Sequence, residues 1–123
     1  MLRANRKLTA IVALLTGVLA PATGLAHAFP VKSVPRVGAT VSAAPNAVRI
    51  WFDGELNALF SKVTVRNAAG RVVSKGHGHV SEKDPRLLEV RLKRLAPGRY
   101  WVRWRVVARD GHHTEGRYPF TVT

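Results

Sequence analysis

The chain has 123 residues, with 20 Lys and Arg against 7 Asp and Glu, a formal net charge of +13 and no cysteine. That length is one domain's worth, and the missing thiols exclude both disulfides and thiolate metal ligation. Such a basic balance suggests nucleic acid first, but Arg91, Lys93, Arg103 and Arg105 are scattered along strand-like segments and form no tract, so no nucleic-acid partner is expected.

In chain order, residues 1–26 read as a cleaved secretory signal peptide. Arg3, Arg6 and Lys7 precede the apolar run "LTAIVALLTGVLA" (8–20), Pro21 breaks it, and small residues follow. The run is shorter than the roughly 20 residues a membrane span needs. "GLAHAF" allows cleavage after Ala26 or after Ala28, and the local pattern favours the first. Loss of Arg3, Arg6 and Lys7 leaves a net charge of +10 on residues 27–123. An exported, periplasmic protein meets little nucleic acid, so the bases are expected to form a solvated face. Attraction to an anionic membrane surface is the functional alternative.

Beyond residue 26 the pattern is one of short strands between turn signals. Strands are expected over about 31–37, 39–42, 47–52 ("AVRIWF") and 60–67, where Val63 and Val65 share a face. "AAG" turns the chain into "RVVSK". "GHGHVSEKDP" (76–85) reads as a mobile polar loop, and "RLLEVRL" (86–92) alternates with Leu88, Val90 and Leu92 inward. "APG" leads into the longest strand, "RYWVRWRVVA", with Tyr100, Val102, Trp104 and Val106 inward and Trp101, Arg103 and Arg105 outward. "GRYPFTV" (116–122) closes the domain, and its Pro119 suits an edge or a bulge. The expected fold is all-β: a small Greek-key β-sandwich or barrel of about seven antiparallel strands, held by packing alone.

Five histidines are His27, His77, His79, His112 and His113. No nucleophile elbow and no phosphate-cradling glycine loop accompany them, so hydrolytic and phosphoryl-transfer chemistry has no support. Asp110 and His112 lie two apart at a strand end, where period-two geometry puts both on one face and His113 on the other. That is half of a transition-metal site or an ordinary polar turn, since Asp-Gly is a common turn dipeptide. Cleavage after Ala26 would supply another half. His27 would then offer its α-amine and its imidazole Nδ1, whose joint binding closes a six-membered chelate ring. Three nitrogens and one carboxylate oxygen suit tetragonal Cu(II) and include no soft ligand for Cu(I).

Ordered motifs carry a resemblance. "HAF-P-V-x-S-x-P-x-x-G-x-T-V" (27–41), "AP-x-x-V-x-I-x-F" (44–52), "LFSKVTV" (59–65), "L-x-PG-x-Y-x-V-x-W-R-V-V-A-x-DGH" (95–112) and "G-x-Y-x-F-x-V" (116–122) run in sequence. The chain resembles the CopC family of bacterial periplasmic copper-binding proteins over essentially all of residues 27–123. The resemblance implies an immunoglobulin-like or cupredoxin-like Greek-key barrel and cleavage after Ala26. It also implies a Cu(II) site of His27, Asp110 and His112, in a monomer that sequesters copper or delivers it to a separate CopD-like inner-membrane transporter. Two features depart from the family pattern. The only Met is Met1, so the methionine-rich Cu(I) loop of some members is missing. "HGH" at His77 and His79 occupies roughly the corresponding place and is a candidate auxiliary site. In "FDGEL" (52–56), Gly54 separates Asp53 from Glu55, which leaves the role of an acid there open. Two other functions compete: a copper-dependent oxidative enzyme with an N-terminal histidine brace, and a metal-free β-sandwich interaction module. Asp110 in the fourth position argues against the enzyme, since an anionic ligand stabilises Cu(II) against reduction.

Overall fold

A computed structural model describes residues 27–123; the expected signal peptide lies outside the described residues. Eight strands form, β1 (Pro30–Val34), β2 (Thr40–Val41), β3 (Ala47–Phe52), β4 (Lys62–Asn67), β5 (Ser74–Val80), β6 (Leu87–Leu92), β7 (Gly98–Val107) and β8 (His113–Val122). They make two four-stranded sheets, in the orders β1-β3-β6-β5 and β2-β8-β7-β4. The all-β sandwich expected from the alternation is therefore present. One pairing departs from the antiparallel expectation: β2 runs parallel to β8.

Alternation decides which side of each strand is buried. Val48, Ile50 and Phe52 of β3 and Leu88, Val90 and Leu92 of β6 face Val63 and Val65 of β4 and Tyr100, Val102, Trp104 and Val106 of β7 across one buried core. Phe52 meets Trp104 edge-on with ring centroids 5.3 Å apart, and Tyr100 stacks on Phe120 at 5.4 Å. Gly116 lets the Trp104 ring lie on the β8 backbone, since a Cβ there would come within 2.6 Å of the ring. Trp51 and Trp101, on the outward faces, are half-buried.

Two local expectations are corrected. The "GHGH" run is not a mobile loop but the body of β5, paired to β6 through Lys75–Arg91 and His79–Glu89 with a register shift between them. Gly76 and Gly78 make this possible by adopting φ of +73° and +75°, so the polar run forms a bulge within the ladder. Pro119 sits on an interior strand, not an edge. Its carbonyl faces away from β7 and accepts the Gly38 N–H at 2.8 Å. In a strand the N and C=O of one residue point the same way, so its missing N–H falls on the outer side, beyond the reach of the two-residue β2.

Candidate metal centre

Residues 27–29 and the turn after β7 meet at one end of the sandwich. Ala28 is fully buried in the core, and its carbonyl accepts a hydrogen bond from Thr114 Oγ1 of β8 at 2.6 Å. The next residue is clamped from the other sheet. Phe29 N–H donates to Asp53 Oδ1 at 2.8 Å, and Asp53 N–H returns a bond to the Phe29 carbonyl at 2.9 Å. With residues 28 and 29 fixed on both sides, His27 is directed at the 110–112 turn. Its ring lies edge-on to that of His112, with centroids 4.7 Å apart, and edge-on to Phe29 at 5.9 Å.

The turn itself is braced from below. Ala108 N–H donates to the His112 carbonyl at 2.8 Å and Gly111 N–H to the Ala108 carbonyl at 2.9 Å, with Gly111 at a φ of +92° that favours glycine. Arg109 N–H bonds the Glu55 carbonyl at 3.0 Å, and the Arg109 guanidinium pairs with the Glu55 carboxylate. Asn57 N–H reaches the Val107 carbonyl at 2.8 Å, and the buried Ser61 hydroxyl accepts the Val107 N–H at 3.2 Å.

Asp110 and His112 do meet, but not through strand periodicity, because Asp110 and Gly111 lie in a turn that precedes β8. The carboxylate folds back instead: Oδ1 accepts the His112 N–H at 3.0 Å, and Oδ2 lies 3.0 Å from His112 Nδ1. The backbone N–H of His112, aided by its ring, holds the Asp110 carboxyl below the ordinary carboxylate value of 3.8, against a smaller opposing effect of desolvation. Asp110 is therefore an anion throughout the neutral range. His112 Nδ1 is buried, and its close polar neighbour is Asp110 Oδ2 at 3.0 Å, an ion-pair contact that leaves the nitrogen without a well-directed hydrogen bond. A buried imidazole nitrogen without a hydrogen bond, beside a carboxylate and a second imidazole, fits a cation of the kind that binds nitrogen and oxygen.

Among the described residues, no three His, Asp or Glu side chains are already spaced around one metal position. In the uncut chain the nitrogen of residue 27 is a peptide amide to Ala26, and the carboxylate of Asp110 is engaged with His112. The structure thus brings His27, Asp110 and His112 together without arranging them as a finished coordination shell. His113 turns to the opposite side, onto an open groove with Phe60, Lys62 and Arg105.

His77 and His79 do not meet. His77 lies beside Lys62, Arg103 and Arg105, whereas His79 faces Arg49, Arg91 and Glu89 on the outside of the other sheet. His79 Nε2 already contacts Glu89 Oε1 at 3.1 Å, and Glu89 Oε2 takes Arg49 Nε at 3.2 Å. The clamps, Asp53 and Thr114, went unassigned in the sequence. Asp53 carried the faint signal of an acid directly after a strand-ending Phe; Thr114 carried none.

The CopC domain family matches residues 30–123. Protein YobA of Escherichia coli K12 is 34% identical over 118 residues, covering 95% of each chain. Copper transport protein CutJ of Bacillus subtilis is 32% identical over 91% of this chain, but the match spans only 21% of CutJ. Among solved structures, CopC from Methylosinus trichosporium OB3b aligns with a TM-score of 0.70 and 34% identity, covering 78% of this chain and 93% of that one. PcoC, a methionine-rich copper resistance protein from Escherichia coli, aligns with a TM-score of 0.70 and 30% identity, covering 80% and 100%.

Proposed function

The chain belongs to the CopC family, and from that premise we propose that it is an exported, periplasmic protein that binds one Cu(II) ion as cargo at His27, Asp110 and His112. Removal of residues 1–26 converts the residue 27 amide into an α-amine, whose reference pKa near 8 allows a metal to displace its proton at neutral pH. The α-amine and Nδ1 of His27, an imidazole nitrogen of His112 and a carboxylate oxygen of Asp110 make a donor set of three nitrogens and one oxygen. Cu(II) favours that set, and the ionised Asp110 adds negative charge that holds the higher oxidation state. With no cysteine in the chain and Met1 lost with the leader, no soft ligand competes for Cu(I).

The observation that carries this reading is the approach of the His27 and His112 rings, 4.7 Å between centroids, beside the Asp110 carboxylate and a buried His112 nitrogen without a hydrogen bond. The protein then sequesters copper or passes it to a separate CopD-like transporter in the inner membrane. The similarity to CutJ, a copper transport protein, supports a link between this domain and such transfer.

Intact-mass measurement of the secreted protein, followed by Cu(II) titration of that species, tests the proposal. The expected mass is that of residues 27–123, with one equivalent bound and a melting temperature that rises on binding. A mature N-terminus at Phe29 would remove two of the four donors and overturn the site. Copper affinity unchanged by both His27→Ala and Asp110→Ala would do the same.

A further inference from the structure

The outward face of the β2-β8-β7-β4 sheet carries six exposed cations: Lys62 and Arg66 of β4, Arg99, Arg103 and Arg105 of β7, and Arg117 of β8. Register sets like against like in two pairs, Lys62 opposite Arg105 and Arg103 opposite Arg117, while on its other side Arg105 lies opposite Glu115. The like-charge pairs are destabilising. Glu115 is the acid on this face, and among the described residues none of the six cations lies within ion-pair distance of a carboxylate. The opposite sheet differs, since Glu89 there engages both Arg49 and His79. At the centre of the cationic face Trp101 is half-buried, with the Arg99 and Arg117 guanidinium groups 5.1 and 5.0 Å from its ring.

At the end where β4 begins, Leu59 is 82% and Phe60 60% exposed. They line one open groove with Lys62 and Arg105, so an apolar tip adjoins the cationic face. We propose that this face and tip form a docking surface for an anionic phospholipid bilayer. Phosphate headgroups supply the counter-charge for the cations, each worth about fivefold in affinity near a charged surface. The Leu59–Phe60 tip enters the apolar boundary beneath the headgroups, and Trp101 suits the headgroup level. A polynucleotide would satisfy the cations and leave the tip in water. An acidic protein surface would need no apolar medium at the tip. Gly111 and His113 line the same groove, so docking would hold the 110–112 turn close to the membrane surface. None of His27, Asp110 and His112 belongs to the docking face, so the inference stands apart from the copper reading.

The test is sedimentation of the secreted, metal-free protein with vesicles of phosphatidylcholine alone or with about one-third phosphatidylglycerol. Binding is expected only to the anionic vesicles, and about 0.5 M salt should reverse most of it. Arg103→Glu combined with Arg117→Glu should lower vesicle affinity at least about tenfold. Lys75→Glu combined with Arg91→Glu, on the other sheet, should lower it far less, and unchanged melting temperatures would show that both variants fold. In Phe60→Trp, the added indole should shift its emission to the blue on anionic vesicles. Equal losses from the two double reversals, or no emission shift, would overturn the proposal. So would binding of polyglutamate or duplex DNA by a protein that ignores both kinds of vesicle.

Discussion

Two histidine pairs, each beside a carboxylate, lie on this sandwich and have opposite fates. His77 and His79 are close in sequence, yet the β5 bulge sends them to different surfaces, and Glu89 already engages His79 while sharing its charge with Arg49. His27 and His112 come from opposite ends of the described chain, yet their rings meet, and the buried His112 Nδ1, close to Asp110, makes no hydrogen bond. Proximity in sequence is therefore a poor guide to shared ligation. What distinguishes the second pair is a backbone fixed from both sheets and donor capacity left unspent.

The sharpest way to break that comparison is to remove one member of each pair. His27→Ala should weaken Cu(II) binding at least about a hundredfold, roughly 2.7 kcal/mol, because it deletes half of a chelate ring. His77→Ala together with His79→Ala should change it by less than about threefold, and competition titration against a chelator reads both. A comparable loss from the second variant would erase the distinction. Next in size is Gly78→Ala. An added Cβ would lie 2.6 Å from Val63 Cγ1 and 2.8 Å from the Glu89 carbonyl, at a φ of +75°. The cost should be about 2–3 kcal/mol, or roughly 10 °C in melting temperature, with copper affinity of the folded protein unchanged. The bulge would then be structural and the far end functional. Asp53→Ala should divide the other way. It removes the acceptor of the Phe29 N–H, so stability falls by only about 1 kcal/mol, while copper affinity drops several-fold because the His27 arm loosens.

The alternation of β3, β6 and β7 made most of the core legible, since period-two burial depends only on which residues are apolar. The β5 bulge was not legible, because glycine at positive φ lets a polar run pair where composition suggests a loop. Pro119 misled in the same manner: its tolerance depends on how far a neighbouring two-residue strand reaches, which no local pattern encodes. At the candidate site, Asp110 and His112 are legible as a pair, but strand periodicity is not what joins them. A folded-back carboxylate on the His112 backbone is what joins them. His27 becomes a candidate only through the logic of cleavage, which no strand pattern carries. Its supports, Asp53 and Thr114, make contacts across long stretches of chain that depend on how the sheets stack.

The smallest expected effect concerns acid. The Asp110 carboxyl lies below 3.8 because the His112 N–H stabilises its charged form. A depressed folded value means that its contribution to the turn is complete above the ordinary value and is lost only as pH falls through the lower, folded one. Between pH 7 and about 4.5, then, Asp110 remains ionised, and any loss of copper over that interval reports protons competing for the nitrogen donors. Asp110→Asn should accordingly weaken binding at every pH and move copper release to higher pH, while the steepness of release, which counts the protons taken up, stays the same. Spectroscopic titration of the bound Cu(II) from pH 7 downward measures both quantities. A shallower release curve in the variant would assign part of the release to the carboxylate. The two sides of the site would then share that role, with the turn as well as the N-terminal arm setting the acid limit of binding.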